Sequence, residues 1–293
     1  MKNVRNEADL VYLTGDPMIG KLDFVIVGPQ RTGTSWLDRA LRTHPDIALP
    51  SLTKETFAFD SEKATDTSKY FQRYFANAEP TQKAGEVGPT YFHNPVARAR
   101  LRAEFPRLKI IILLRNPVAR TYSLFRHEVA KGRSPDDLYR AIEQNPEIIE
   151  SGRYAKHVPA WQRDFGEDNV LLLRFEDIES RGEHLITDVQ SFFGVIPRPL
   201  DPKLLEKYGF GVVPRIQILA TLAARLARIL RQAGLDRLVE IAKRMGLKPL
   251  FFRGGDASKL DMTEEQRAFL EKVHADDITF LANSDRNLYE RKH

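Results

Sequence analysis

Cysteine is absent from this sequence of 293 residues. Disulfide bonds, thiolate catalysis and cysteine-ligated zinc are therefore excluded. A chain without cysteine fits a reducing compartment, and we expect a cytoplasmic protein. No run of about eighteen apolar residues occurs, which excludes a membrane-spanning helix. Residues 1–10 also lack the apolar core of a secretory signal.

Metal-binding patterns such as His-Glu-x-x-His are missing as well, so we expect no metal. The net charge is only +5, and it is local: between Arg215 and Arg253 there are nine basic residues and two acidic ones. The remainder of the chain is therefore slightly acidic. A protein that coats nucleic acid would not confine its charge in this way, and we expect no nucleic-acid partner.

Residues 24–37 predict a strand, a loop and the start of a helix. The apolar run 24–27 is typical of a strand that is covered on both faces. The following loop ends at a helix N-terminus, where backbone N–H groups and the helix dipole favour an anion. Gly33 permits close approach of a ligand, and Arg31 adds a positive charge. These features favour a phosphate or sulfate site over an ordinary turn, although a single glycine with hydroxyl residues is a weak signal.

The glycine spacing of this loop is that of the nucleotide-binding P-loop, Gly-x-x-x-x-Gly-Lys-[Ser/Thr]. Gly28 and Gly33 keep the spacing, but Thr34 stands where the motif requires its lysine. A P-loop NTPase or small-molecule kinase is therefore a weakened alternative. A non-catalytic nucleotide-binding protein is a third hypothesis.

Strand and helix patterns alternate along the rest of the chain. The runs 109–114 and 170–173 predict buried strands, and the first should be central in a parallel sheet. Short strands are expected at residues 47–49 and from Glu86. Helices are expected in the intervals 61–79, 95–104, 118–131, 135–145 and 155–165, and from Thr263, where a capping box is spelled out. The aromatic residues of the first of these helices should be core.

This alternation predicts an α/β fold with a doubly wound parallel sheet flanked by helices. Ligands of such folds lie at the carboxyl ends of the strands. We expect one domain over residues 1–293, with a loosely structured lead-in at 1–21. Residues 210–250 form an extra basic helical insert, which is a candidate lid.

A second anion site is predicted where the strand 109–114 ends. Arg115 follows this strand, and Ser123 lies about two helical turns later, so both can face the same side. Taken alone, the pair could equally be an exposed arginine and an incidental serine.

Together these motifs resemble those of sulfotransferases that use 3′-phosphoadenosine 5′-phosphosulfate (PAPS). Residues 28–37 resemble the 5′-phosphosulfate loop, in which a lysine usually occupies the position of Arg31. Residues 114–123 resemble the 3′-phosphate motif at its Arg, Asn, Pro and Ser. The match is to bacterial-type enzymes, most like the heparan-sulfate or Golgi-type sulfotransferase domain.

Four further segments extend this resemblance over residues 24–195. Residues 54–60 resemble the Lys-Glu-x-x-Phe-Phe-Asp stretch of heparan-sulfate-type enzymes, with Ala58 in place of the first Phe. Residues 86–92 resemble their Glu-Lys-x-Pro-x-Tyr-Phe segment. Residues 152–154 and 174–177 are similar to their Gly-x-Tyr and Tyr-Glu-Asp elements.

The resemblance implies a P-loop-like fold and transfer of a sulfuryl group from PAPS to a hydroxyl or amine, leaving 3′,5′-ADP. It implies that Glu55 is the base and that Arg31 stabilises the leaving phosphate, by charge alone because a guanidinium does not give up its proton. It implies donor binding by Gln30, Arg31, Thr32, Gly33, Thr34, Ser35, Trp36, Arg115, Ser123 and Tyr154, and by Arg253 and Gly254 in a late loop.

Several alternatives stay open at this point. Glu55 could be a surface partner of Lys54, and His93 is a rival base. The acceptor could be a glycan, a lipid or a small molecule such as an alcohol. The basic helices expected at 215–246 could attract an acidic acceptor, make peripheral contact with anionic lipid or simply be a solvated face.

Overall fold

The computed structural model describes residues 20–61, 66–201, 204 and 261–290. Most of the lead-in, the basic insert, Arg253 and Gly254 lie outside the described residues. Within the described part, no helix is long and apolar enough to cross a membrane.

The described residues contain a five-stranded sheet in which every neighbouring pair is parallel. In spatial order the strands are β2, β3, β1, β4 and β5. Their bounds are Phe24–Gly28 for β1, Ile47–Ala48 for β2, Lys83–Val87 for β3, Lys109–Leu114 for β4 and Val170–Arg174 for β5. The predicted central position of residues 109–114 is confirmed, because β4 lies between β1 and β5.

Helices connect and cover these strands. In chain order they are α1 Thr34–Arg42, α2 Thr67–Tyr74, α3 Pro95–Glu104, α4 Pro117–Ala130, α5 Leu138–Gln144, α6 Glu147–Glu150, α7 Tyr154–Phe165, α8 Asp177–Phe193, α9 Glu264–Val273 and α10 Ala275–Glu290. The predicted α/β class and the flanking helices are confirmed.

Alternate residues of β1 face two different hydrophobic clusters. Phe24 and Ile26 pack with α1 and α8 on one face, whereas Val25 and Val27 pack with α2, α3 and α7 on the other. All four side chains are fully buried. The strand is therefore covered on both faces, as its continuous apolar run predicts.

Capping residues explain where several helices begin. The helix expected from residue 135 begins only at Leu138, because the side chain of Asp137 accepts the N–H of Arg140 and caps α5. Asn116 caps α4 in the same way through the N–H of Ala119. The predicted capping box at α9 is confirmed. The aromatic residues expected in the core are confirmed there, with Tyr70, Phe71 and Phe75 buried and Tyr74 packed against them.

Candidate active site

The loop between β1 and α1 leaves the N-terminus of α1 without a side-chain cap. Gly33 occupies the N-cap position with φ 94°, and no side chain accepts the first N–H groups of the helix. A Cβ at this position would lie 2.3 Å from Cδ1 of Ile178, so the end of the Ile178 side chain on α8 occupies the space that a side chain at position 33 would need. The uncapped N–H groups and the positive end of the helix dipole form a site suited to an anion.

Two arginines join the two predicted anion motifs. Nε of Arg31 donates to Oγ of Ser123 at 3.1 Å. Nη1 of Arg115 donates to the carbonyl oxygen of Arg31 at 3.0 Å. The guanidinium of Arg115 also lies 4.3 Å from the ring centroid of Phe175, a cation–π contact that orients it. The structure thus brings Arg31, Arg115 and Ser123 together, although Arg31 belongs to the loop after β1 whereas Arg115 follows β4 and Ser123 lies on α4.

Two arginine charges lie close together at this site, and the carboxylates that act on them, Glu128 and Glu176, are not in direct contact with them. Burial lowers the pKa of Arg31, and the neighbouring charge of Arg115 lowers it further. Burial likewise lowers the pKa of Arg115. Within the described residues, neither guanidinium has a carboxylate within ion-pair distance. Two partly buried cations with no carboxylate in direct contact among the described residues favour a bound anion, which both relieves their repulsion and accepts their hydrogen bonds.

The other residues predicted to bind PAPS differ in their burial and in their hydrogen bonds. Oγ1 of Thr32 is buried and donates to the carbonyl of Pro29 at 2.7 Å, so this hydroxyl holds the loop together. Nε1 of Trp36 donates to the carbonyl of Leu204 at 2.7 Å. Ser35 is exposed and Gln30 is half-buried.

Tyr154 is fully buried at the start of α7. Its hydroxyl donates to the carbonyl oxygen of Arg115 at 2.9 Å. Burial raises the pKa of this hydroxyl to about 12, so it remains a donor at physiological pH. Any contribution of Tyr154 to donor binding therefore acts through the backbone of Arg115.

The carboxylate of Glu55 is tied to the anion loop by its neighbour Lys54. Nζ of Lys54 donates to Oε1 of Glu55 at 2.9 Å and to Oγ1 of Thr34 at 3.2 Å. The ion pair that was the plainer alternative for Glu55 is therefore present. It is not an isolated surface pair, because each side chain is only about a quarter exposed, 25% and 26%, and the same ammonium bridges to α1.

Glu86 is a buried carboxylate that motif matching did not select as a site residue. It lies on β3, is fully buried and accepts hydrogen bonds from the hydroxyls of Thr56, Tyr70 and Tyr91. Burial raises the pKa of Glu86, while the three hydroxyls act in the opposite direction. The available sequence signal was an acidic residue inside a strand that is otherwise buried.

Comparison with known proteins identifies the family of this chain. Residues 21–208 match the family model described as the sulfotransferase domain. The chain belongs to the sulfotransferase family. None of the comparisons favours the kinase alternative.

Curated relatives of this sulfotransferase are mostly much longer proteins. The human bifunctional heparan sulfate N-deacetylase/N-sulfotransferase 2 is 30% identical over 196 residues, which are 59% of this chain and 22% of that protein. The membrane-associated sulfotransferase kil1 of Dictyostelium discoideum is 32% identical over 148 residues, 46% of this chain and 31% of that protein. The chain thus spans about a fifth to a third of the length of these relatives.

Solved structures include other sulfotransferases. The sulfotransferase from Alicyclobacillus acidocaldarius is 25% identical with a TM-score of 0.57, and the match covers 76% of this chain and 97% of that one. The mouse sulfotransferase SULT7A1, solved in complex with PAP, shares the fold at 14% identity and a TM-score of 0.51, covering 93% and 88% of the two chains.

His93, the rival base, lies in a different set of contacts in this sulfotransferase. Its Nε2 is 3.8 Å from Oε1 of Glu147 on α6, and its ring centroid is 6.5 Å from that of His157. No contact joins His93 to Glu55 or to the anion loop within the described residues. Glu55 is therefore the better placed of the two candidates.

Proposed function

We propose that this sulfotransferase binds PAPS across the tips of β1 and β4 and uses Glu55 to activate its acceptor. The supporting observation is the chain of contacts from Ser123 through Arg31 to Arg115, which unites the two phosphate motifs in one positive pocket. In this proposal the β1–α1 loop and Arg31 hold the 5′-phosphosulfate. Arg115 and Ser123 hold the 3′-phosphate.

The proposed step needs a base, a nucleophile and a stabilised leaving group. Glu55 takes the proton of an acceptor hydroxyl or amine as the oxygen or nitrogen of the acceptor forms a bond to the sulfur of PAPS. The bond from sulfur to the 5′-phosphate oxygen breaks, its electron pair stays on that oxygen, and 3′,5′-ADP leaves. Arg31 and the uncapped N–H groups of α1 stabilise the charge that develops there. Lys54, already in contact with Glu55 and Thr34, keeps the base close to the donor.

Further donor contacts are part of the proposal. We infer that Gln30, Thr32, Gly33, Thr34, Ser35 and Trp36 form the wall of the phosphosulfate loop and that Tyr154 supports Arg115. The late loop of Arg253 and Gly254 would close over the nucleotide, although both lie outside the described residues. We infer no metal in the site.

The acceptor proposed is a glycan or a small molecule that offers a hydroxyl or an amine. The name of the human relative supports a glycan amine, but only 22% of that protein is matched. Lipid contact through residues 215–246 and a cytoplasmic location stay proposals, the latter supported by the absence of cysteine. Transfer of labelled sulfate from PAPS to N-desulfated heparan sulfate, a sterol and a simple alcohol would test the acceptor class.

Calorimetry with 3′,5′-ADP and ADP tests the donor site without any acceptor. One charged hydrogen bond contributes about 1.5–3 kcal/mol, so wild-type protein should bind 3′,5′-ADP at least about 10-fold more tightly than ADP. Arg115→Met should remove most of this preference. Arg163→Met is the control, because Arg163 is an exposed arginine paired with Asp164, and it should leave the preference unchanged. Equal affinity of the wild type for the two nucleotides would contradict the proposed 3′-phosphate site.

The role of Glu55 is tested separately. Glu55→Gln should bind 3′,5′-ADP as the wild type does, since the donor contacts are intact, but should lose sulfuryl transfer by about 100-fold or more. Transfer at the wild-type rate would remove Glu55 from the mechanism.

A further inference from the structure

Glu86 has no part in the step described above, yet it is among the most completely enclosed carboxylates in the described residues. Its side chain is fully buried, and both of its oxygens are engaged: Oε1 accepts from Thr56 at 2.7 Å and from Tyr91, and Oε2 accepts from Tyr70. Burying an acidic group costs free energy, and the three hydroxyl donors offset part of that cost.

One of these contacts reaches the residue next to the proposed base. Thr56 follows Glu55 directly, and its hydroxyl donates to Glu86 while accepting the N–H of Ala58 at 3.2 Å. The backbone immediately after Glu55 is thereby fixed to β3. On the other side of Glu55, Lys54 is fixed to α1 through Thr34. The base therefore lies between two neighbours, each attached to a different part of the scaffold.

The two tyrosines on Glu86 secure the same loop a second time. The ring of Phe59 packs edge-on against Tyr70 and Tyr91, with centroid distances of 5.6 and 6.1 Å. Between the attachment points at Thr56 and Phe59, Phe57 adopts a left-handed backbone with φ 57° and is 44% exposed. A bulky residue in this conformation is strained, and it persists only where the flanking residues are held in place.

We propose that Glu86 is a positioning residue that sets the location of Glu55 through the hydroxyl of Thr56. It acts through another residue rather than on the substrate, because its carboxylate is enclosed by side chains of the protein. This inference rests on the proposed role of Glu55 as base.

The decisive variant is Thr56→Val, which keeps the shape of the side chain and removes the hydroxyl. We expect backbone amides of residues 53–58 to exchange hydrogen at least 10-fold faster than in the wild type, measured by mass spectrometry. Affinity for 3′,5′-ADP should change less than 2-fold, since Arg31, Arg115 and Ser123 are untouched. Sulfuryl transfer to the best acceptor found, or to water, should fall at least 10-fold in kcat. Thr56→Ser, which keeps the hydroxyl, should show the exchange rates and the kcat of the wild type.

Tyr70→Phe is the matched control. It also removes one hydroxyl from Glu86, but it leaves the contact between Thr56 and Glu86 and the packing of Phe59 in place. Its exchange in residues 53–58 and its kcat should stay within 3-fold of the wild type, even if its melting temperature falls. Equal effects of the two variants would indicate a general loss of stability and overturn the proposal, as would wild-type exchange and kcat in Thr56→Val.

The exchange measurement separates this inference from the proposed function. If Glu55→Gln keeps full activity while Thr56→Val still loosens residues 53–58 alone, the catalytic role of Glu55 fails and Glu86 remains an anchor of the loop without a positioning role. If Glu55→Gln is inactive and Thr56→Val is unchanged in both measurements, Glu55 stands as base and Glu86 is not what positions it.

Discussion

At the scale of single residues, the loop between β1 and α1 needs a residue without a side chain at position 33. Its backbone lies at φ 94°, and Ile178 and Phe175 occupy the space where a side chain would be. Gly194, at the end of α8, has a similar φ of 77° but no atom near its missing side chain. Comparing substitutions at these two glycines therefore distinguishes the effect of backbone strain from that of steric conflict.

Alanine at these two positions should have unequal effects. Gly194→Ala should lower the unfolding free energy by about 1–2 kcal/mol, because alanine is strained in the left-handed conformation. Gly33→Ala has the same backbone strain and also forces the side chains of Ile178 and Phe175 to move, so it should lower the unfolding free energy further and weaken 3′,5′-ADP binding by at least 10-fold. Urea unfolding and calorimetry measure the two quantities. Equal destabilisation, with binding intact in both variants, would refute the steric argument.

The sequence selects as site candidates residues that stand beside a local strand or motif pattern. Arg31, Arg115 and Glu55 each follow a recognisable strand or lie in a recognisable motif, and the structure brings the first two into contact. The pairing of Thr56 with Glu86 could not be predicted in this way, because it depends on which strand lies beside β1 and on how residues 53–60 cross the sheet. The stacking of Phe175 on Arg115 depends likewise on β4 and β5 being neighbours.

At the scale of elements, the C-terminal helices are joined to the donor side by a buried polar network. Arg120 on α4 is fully buried and donates to Ser151, Thr121 and the carbonyl of Ile148. Burial lowers its pKa to about 10, so it stays charged at neutral pH. Oγ1 of Thr121 is 2.9 Å from Nε2 of His274, and Nδ1 of that ring is 2.8 Å from Oδ2 of Asp277 on α10. Asp277 also accepts the N–H of Ala155 on α7.

Removing Asp277 should therefore loosen several elements at once. Asp277→Ala leaves His274 and the N–H of Ala155 without their acceptor, and we expect a loss of about 2–4 kcal/mol, because each buried donor left unpaired costs about 1–3 kcal/mol. Thr279→Ala is the control on the same helix, because its exposed hydroxyl bonds only to the carbonyl of Ala275, and it should cost less than about 0.5 kcal/mol. Denaturant titration gives both values. A loss below about 1 kcal/mol for Asp277→Ala would show that the network is not needed.

Elements were easier to predict than their attachments. Most helix and strand positions followed from apolar periodicity and capping residues, with shifts where Asp137 or Asn116 fixes the first turn. The helix α8 was not predicted, and the helix expected over residues 61–79 spans only Thr67–Tyr74. The network around Arg120 could not be predicted, since Thr121 and His274 are separated by 153 positions. A fully buried arginine also contradicts the ordinary expectation for this residue type.

At the scale of the whole molecule, buried histidines make stability depend on pH. His157 on α7 has a side chain only 6% exposed, and its Nε2 lies 2.9 Å from Oε1 of Glu150. Burial lowers its pKa to about 4, although Glu150 acts in the opposite direction. As the pH falls below the ordinary value near 6.5, the unfolded chain gains a proton that the folded chain does not take up until about pH 4. The folded state is therefore progressively disfavoured over this interval.

His157→Gln should reduce this pH dependence. Linkage predicts that His157 accounts for about 2 kcal/mol of the unfolding free energy lost by the wild type between pH 7 and pH 5, and the variant should lose that much less over the same range. His184→Gln serves as the control, since this ring is exposed on α8, and it should behave as the wild type. Urea unfolding at the two pH values provides the comparison. Parallel pH profiles for all three proteins would mean that the pKa of His157 does not differ between the folded and unfolded states.

The order of the strands has a consequence for how such a chain can diverge. β1 separates one wing of the sheet, where β3 anchors the loop of Glu55, from the other, where β4 and β5 present Arg115 and Phe175. Substitutions in the first wing therefore alter the surroundings of Glu55 without touching Arg115 or Phe175. On the proposed function, acceptor preference can thus change in evolution while the contact of Arg115 with the 3′-phosphate is retained.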